Sequence, residues 1–172
     1  MRDRRMWVFG LVLPLLLGFD FATKRATVVS LPVGGEVQLI PGWLSWFHAE
    51  NPYVAFSMPV PLPAIVAFGV LAVVGLSWTL WRLPRDARMQ AAALATVLAG
   101  ALGNLLDRVG DGSVTDMIRV YTTHPRLAPW LVERFGTATW PIFNVADVCV
   151  GAGVVLWLAH AATEREQPVA VP

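Results

Sequence analysis

Four long apolar segments, separated by stretches richer in polar residues, set the pattern of the chain. A helix that crosses a bilayer needs about 20 mostly apolar residues, with a range of roughly 17–25. The segments cover about residues 6–22, 63–81, 89–106 and 140–162. This pattern predicts an all-α membrane protein with four transmembrane helices. They are expected to form a single integral domain over residues 1–162, followed by a loose cytoplasmic tail at 163–172.

The first segment has a second interpretation, because a basic start before an apolar stretch is also typical of a cleaved signal peptide. However, Asp20 and Lys24 stand where small residues should precede a cleavage site, and no A-x-A pattern follows them. We therefore interpret the segment as a retained helix.

Two long connections are expected on the outer side of the membrane. Residues 27–57 hold short β-favouring runs, at Val28-Val29 and 36–40, between turn-forming prolines and glycines. This pattern predicts a small extracytoplasmic β-sheet between the first and second helices. The second connection is an outer loop over 107–139, which begins with the turn-prone run Gly110-Asp111-Gly112-Ser113.

The composition agrees with a membrane protein. The 172 residues are 56% hydrophobic and 15% charged, whereas a soluble domain has about 25% charged residues. The formal net charge is +1 without a basic block, so no nucleic-acid partner is expected. The single cysteine, Cys149, excludes an intrachain disulfide and a multi-cysteine metal site.

The distribution of basic residues predicts the orientation. The short loop at 82–88 is basic and is expected on the same side as the basic N-terminal run at 2–5. The positive-inside rule then places both termini in the cytoplasm. The tryptophans agree, with Trp7, Trp78, Trp81 and Trp157 expected at the inner interface and Trp43, Trp46, Trp130 and Trp140 at the outer one.

A set of polar residues stands inside or beside the apolar segments. A charge at the bilayer centre costs about 2.5–3.5 kcal/mol on insertion scales and marks a candidate functional site. In the predicted topology the whole set falls near the outer face of the membrane. Its members are Asp20, Lys24, Asn104, Asp107, Arg108, Asp116, Asn144 and Asp147.

Two of these acids suggest a reaction. Asp147 follows Trp140, the start of the predicted fourth helix, by seven residues, or about 10 Å at 1.5 Å per residue. Asp116 is expected to meet it at that depth. Two carboxylates in a poorly hydrated site do not both ionise easily, so one keeps a proton. Such a pair activates water and protonates a leaving amine in aspartic proteases, without a metal or another cofactor.

Simpler structural interpretations stay open for most of the set. Asp116 alone fits an ordinary loop acid equally well, whereas Asp147 has no basic residue within one turn to neutralise it. The other interpretations are a helix-end ion pair for Asp20 with Lys24, a helix cap for Asp107 with Arg108, and a hydrogen bond between helices for Asn104.

Five blocks of sequence follow one another between Asp20 and Asp147. They are Asp20-Phe21-Ala22-Thr23-Lys24, Asn51-Pro52-Tyr53-Val54-Ala55-Phe56-Ser57, Gly103-Asn104-Leu105-Leu106-Asp107-Arg108, Val114-Thr115-Asp116 and Phe143-Asn144-Val145-Ala146-Asp147. In this order they resemble the conserved segments of the lipoprotein signal peptidase (signal peptidase II) family. No single block is specific, but the ordered set is.

The resemblance implies an aspartic endopeptidase of the bacterial inner membrane with Asp116 and Asp147 as its catalytic dyad. It implies cleavage of a prolipoprotein just before a cysteine that carries diacylglyceryl. Membrane lipids are the other expected partners, the protein is expected to be a monomer, and globomycin is expected to inhibit it. Positions similar to the family's substrate and globomycin contacts are Asn51, Asn104, Arg108 and Asn144, and supporting positions are Asp20, Lys24 and Asp107.

Two features depart from the family pattern. Pro52-Tyr53 replaces a residue-glycine pair after Asn51, which stiffens a segment expected to border the substrate. The stretch between Asp116 and Asp147 is long and contains Pro125 and Pro129.

Two other classes of protein remain as alternatives. A small transporter or proton conductor also uses intramembrane acids and bases, but its polar groups should extend across the membrane. The inner halves of the second, third and fourth segments hold almost none. A membrane assembly subunit would use the same residues to bind partner helices.

Overall fold

The computed structural model describes residues 3–53 and 60–165, and these contain five helices and three strands. In chain order they are α1 (Arg4–Ser30), β1 (Glu36–Ile40), β2 (Leu44–Asn51), α2 (Leu62–Arg82), α3 (Arg88–Gly110), β3 (Val114–Val120), α4 (Leu127–Phe135) and α5 (Val145–Arg165).

The chain divides into two compact units. The helical unit comprises residues 1–20, 66–106 and 145–172, and the sheet unit comprises residues 21–65 and 107–144. The helices α1, α2 and α3 each contribute residues to both units.

The helices α1, α2, α3 and α5 are long and apolar enough to cross a membrane, and they are the only ones in the described part of the chain. This confirms the predicted fold class. Half of the apolar window of α3 is buried, against 6–17% for the other three. Its buried positions include Ala91, Ala95, Ala99, Gly100 and Gly103. Small residues let helix backbones approach closely, so α3 is the central packing helix of the four.

Two helices begin or end away from their expected positions. The helix α1 continues to Ser30, so Val28-Val29 is helical and not part of the sheet. No proline interrupts the helix after Pro14 until Pro32, and the Thr27 hydroxyl donates to the Thr23 carbonyl within it. The helix α3 continues to Gly110, which places Asp107 and Arg108 in its last turns.

The helix α5 begins at Val145, five residues later than expected. The preceding residues instead pair with β3, since the Trp140 amide donates to the Val120 carbonyl at 2.8 Å and the Phe143 amide to the Ile118 carbonyl at 3.2 Å. Asp147 consequently lies in the first turn of α5, and the expected depth of seven residues into this helix is wrong. The helix ends at Arg165, and residues 166–172 of the expected tail lie outside the described residues.

The three strands form an antiparallel sheet in the order β1-β2-β3. A tight turn joins β1 to β2, with the Trp43 amide donating to the Ile40 carbonyl at 3.0 Å and Gly42 at φ 78°. Proline followed by a glycine with positive φ is typical of a type II turn, and Pro41-Gly42 supplies that pair. The predicted sheet after the first helix is therefore present, but its third strand comes from the predicted outer loop.

Candidate functional site

Asp116 lies on β3 and is buried in the sheet unit. Asn144 Nδ2 donates to its Oδ1 at 2.7 Å, and Asn51 Nδ2 donates to its Oδ2 at 3.1 Å. Asn51 ends β2, and Asn144 immediately precedes α5. Both carboxylate oxygens of Asp116 are thus oriented by side-chain amides from separate segments.

Asp147 belongs to the helical unit, where Asn104 Nδ2 of α3 donates to its Oδ1 at 2.8 Å. The first turn of a helix favours a negative charge because its backbone N–H groups point toward it. Close packing of α3 on α5 makes the contact possible. A side chain at Gly100 would overlap the Ala146 carbonyl oxygen, and only glycine fits there.

Asp20 has a different task in the same unit. Its Oδ1 accepts a hydrogen bond from the Ala146 backbone N–H at 2.8 Å, so α1 caps the N-terminus of α5. The side chain is buried, and its Oδ2 occupies the space that a Cβ at Gly103 would need. This contact is a helix cap and differs from the ion pair with Lys24 that the sequence suggested.

Lys24 and Asp107 form an ion pair in the sheet unit, with Nζ and Oδ2 2.8 Å apart. Both side chains are largely buried, with 6% and 20% of their surface exposed. A buried carboxylate next to an ammonium group is neutralised, and removal of either partner is costly. In this geometry the charge of Asp107 is balanced by that of Lys24.

Pro52-Tyr53, the pair that differs from the family pattern, lies beside Asn51 and Arg108. Asn51 Oδ1 accepts from the Tyr53 amide at 3.1 Å, and Arg108 Nη2 donates to the Tyr53 carbonyl at 3.2 Å. The backbone of Tyr53 is therefore held from both of its polar groups. The remainder of this sequence block, residues 54–57, lies outside the described residues.

A second polar cluster surrounds Glu50 on β2, and sequence reasoning missed it. Glu50 Oε2 accepts from the Ser113 hydroxyl at 2.6 Å, and Oε1 accepts from the Thr115 hydroxyl at 3.1 Å. His48 Nε2 lies 3.0 Å from the same Oε1. The i, i+2 spacing of His48 and Glu50, which puts both side chains on one face of a strand, was the available signal.

The Glu50 carboxyl has a shifted pKa. Burial raises the pKa of this group, but the hydrogen bonds from Ser113, His48 and Thr115 outweigh burial and hold it below 4.5. Glu50 is therefore ionised at neutral pH. Within the described residues, no three His, Cys, Asp or Glu side chains are grouped as metal ligands.

Comparison with solved structures first defines the class by its fold. Two chains, each described as a bacterial membrane enzyme, share the fold with TM-scores of 0.77 and 0.73, both at 23% identity. The first similarity covers 95% of this chain and 94% of the other, and the second covers 89% and 91%. This chain therefore has the same fold as those two chains.

Sequence comparison then gives the family. The family model described as Signal peptidase (SPase) II matches residues 12–163. A lipoprotein signal peptidase of Deinococcus radiodurans is 33% identical over 171 residues, covering 97% of this chain and 86% of the relative. Another, from Geobacter sulfurreducens, is 34% identical over 158 residues, covering 87% and 88%. The chain belongs to the signal peptidase II family and is a protease.

Proposed function

We propose that this chain is an aspartic endopeptidase that removes the signal peptide from diacylglyceryl-modified prolipoproteins, with Asp116 and Asp147 as its catalytic pair. Family membership is consistent with the removal of signal peptides from prolipoproteins, and it does not favour the transporter or assembly-subunit alternatives. One structural observation carries the choice of residues. Asparagine amides orient both Asp116 and Asp147, whereas Asp107 is paired with a lysine.

In the proposed reaction, the ionised member of the pair takes a proton from water, and the water oxygen attacks the scissile carbonyl carbon. The protonated member gives its proton to the amide nitrogen as the C–N bond breaks. Two adjacent carboxylates share one proton more readily than both ionise. Because coupled carboxylates titrate as a pair, the roles of base and acid belong to the pair. This chemistry needs no metal and no other cofactor.

The substrate is proposed to be held by Asn51, Asn104, Arg108 and Asn144. Three of these side chains are the amide donors that contact the proposed catalytic carboxylates. The Arg108 guanidinium donates to a backbone carbonyl, that of Tyr53, and a substrate carbonyl presents the same acceptor. Asp20, Lys24 and Asp107 are proposed to support the fold around these groups.

The cellular setting completes the proposal. The protein is placed in the bacterial inner membrane as a monomer, with both termini in the cytoplasm and the reaction near the outer face. A lipid-linked substrate is held in the same bilayer, so an interfacial carboxylate pair reaches its scissile bond.

The test is cleavage of a purified diacylglyceryl prolipoprotein in detergent or lipid. General acid–base groups contribute about 10²–10⁴-fold, so Asp116→Asn and Asp147→Asn should each lower kcat by at least about a hundredfold. Asp107→Asn, the matched control, should keep more activity than either. Circular dichroism and gel filtration show whether each variant is folded. Cleavage at the wild-type rate by Asp147→Asn would falsify the mechanism.

A further inference from the structure

The β2–β3 ladder is short where it carries Asn51. Its register shifts between Trp46 and Ala49, and only Ala49↔Asp116, Glu50↔Thr115 and Asn51↔Val114 are paired beyond the shift. Asn51 therefore stands on the last pair of a three-pair segment. A slip of one residue would turn its side chain to the opposite face of the sheet and away from Asp116.

The two faces of this segment carry different groups, because successive side chains of a strand point to opposite faces. Asn51 and Asp116 share one face and are hydrogen bonded to each other. Glu50, Ser113 and Thr115 share the other face. The Glu50 carboxylate bonds across the strands to both hydroxyls, so it joins β2 to β3 directly behind the Asn51–Asp116 contact.

His48 fixes Glu50 in turn. Its Nδ1 lies 2.8 Å from the Leu31 carbonyl oxygen and its Nε2 lies 3.0 Å from Glu50 Oε1. The ring therefore bridges the Leu31 carbonyl oxygen and the Glu50 carboxylate. His48 is buried, and through it the carboxylate is tied to the chain just after α1.

We propose that Glu50 is a positioning residue for peptide cleavage. Together with His48, Ser113 and Thr115 it forms the Glu50 clamp, which holds the strand register in which Asn51 donates to Asp116. This inference rests on the proposed function, because it assigns Asp116 to catalysis. The clamp lies on the face opposite Asp116, so Glu50 acts through Asn51 and does not touch the substrate.

The kinetic test compares Glu50→Ala, Glu50→Gln and Glu36→Ala with the wild type. A misplaced catalytic group costs up to about a hundredfold, so Glu50→Ala should lower kcat by about tenfold to a hundredfold with KM little changed. Glutamine keeps an acceptor toward His48 and a group that bonds Ser113, so Glu50→Gln should restore most of kcat.

Glu36→Ala is the matched control. Glu36 lies on β1 of the same sheet, and its carboxylate pairs with Arg119 at 2.9 Å with 28% of the side chain exposed. In the strand pairing Glu36 lies opposite Phe47. It is not paired with residues 49–51 of β2 or with Asp116. If kcat fell as much in Glu36→Ala as in Glu50→Ala, the effect of Glu50→Ala would reflect a general loss of sheet stability. This result would overturn the inference.

A double-mutant cycle tests whether Glu50 acts through Asn51. Residues that act in one network give non-additive effects, so Glu50→Ala should change kcat little in an Asn51→Ala background. Independent effects that multiply would contradict the inference. Ser113→Ala is measured beside these variants because it removes one clamp hydrogen bond and leaves Glu50 in place. It should lower kcat by a smaller factor in the same direction.

Hydrogen exchange separates this inference from the proposed function. Amides of residues 113–117 should exchange faster in Glu50→Ala and Ser113→Ala than in the wild type or Glu36→Ala, without any substrate present. If the wild type does not cut prolipoprotein but this exchange pattern is found, the proposed function fails and the clamp stands. If the wild type cuts and the variants show wild-type kcat and exchange, the clamp inference is wrong.

Discussion

Asparagine is the residue type that orients both proposed catalytic carboxylates. An amide N–H donates a directed hydrogen bond without adding a charge, so it fixes a carboxylate without neutralising it as an ion pair does. Asn144 and Asn51 do this for Asp116, and Asn104 does it for Asp147. Asp107 differs from these two acids, because its buried negative charge is balanced by the positive charge of Lys24.

At the residue scale, Glu50 gives stability a specific pH dependence. Its pKa in the folded protein lies below 4.5, so its ionised form contributes stability at pH values above 4.5. That contribution is lost as the pH falls below 4.5 through the lower folded-state pKa. We expect the wild type to lose its advantage in thermal unfolding midpoint over Glu50→Gln as the pH falls from neutral through this lowered pKa. A difference that stays constant with pH would contradict this.

At the scale of elements, the C-terminus of α2 is capped from a distance. The last carbonyls of a helix lack partners within it, and a cation there is favourable. Arg5 Nη1 donates to the Trp81 carbonyl at 2.6 Å, to the Leu80 carbonyl at 3.4 Å and to the Leu83 carbonyl. The buried Arg5 side chain, at the start of α1, therefore supplies hydrogen-bond donors to the last carbonyls of α2.

Removing this cap should destabilise the helical unit. Hydrogen bonds to charged groups contribute about 1.5–3 kcal/mol each at most, so Arg5→Gln should cost about 2 kcal/mol of unfolding free energy. Arg4→Gln is the control, because Arg4 is exposed and should change stability little. The comparison is made by denaturant titration in detergent micelles. Equal stabilities of the two variants would show that Arg5 does not cap α2.

The elements also show what sequence can predict. Length and hydropathy were sufficient for the four spanning helices. The start of α5 was misplaced because residues 140–144 are apolar enough to read as helix, whereas their backbone bonds to β3. The strand β3 and the short helix α4 were missed, since pairing with β2 and the glycine cap at Gly136 are tertiary and local features without a strong hydrophobic period.

For the candidate site, the sequence offered a set of polar residues but not their contacts. The cost of burying charge in the membrane and the ordered motifs selected that set. The contacts of each residue in this set involve partners distant in sequence. Asp20 contacts Ala146, and Lys24 contacts Asp107. Glu50 was missed because Ser113 and Thr115, two of its three partners, come from the start of β3 and the residue before it, and this strand was not predicted.

At the scale of the whole molecule, the basic N-terminus and the basic loop between α2 and α3 meet at one end of the helical unit. The Arg5 amide donates to the Arg85 carbonyl at 3.2 Å, so both segments lie on the same side of the membrane. The positive-inside rule predicts that this side faces the cytoplasm.

Cysteine labelling tests this orientation. Asp86→Cys lies in the basic loop and Glu133→Cys lies on α4, and both parent residues are exposed. A membrane-impermeant maleimide should label Glu133→Cys on intact cells, and Asp86→Cys only after permeabilisation. The native Cys149 is buried, so the wild type serves as the unlabelled control. Labelling of Asp86→Cys alone on intact cells would invert the topology.

The hydrogen bond from the Ala146 amide to Asp20 spans 126 residues of sequence. A ribosome that adds about 5–20 residues per second needs about 6–25 s to make that stretch. During this time α1 is already available for insertion into the membrane, but the Ala146 amide that donates to Asp20 has not yet been synthesised. The helices α1 and α5 can therefore pack through Asp20 only after α5 has begun to be synthesised. Any nascent chain shorter than 146 residues lacks this hydrogen bond.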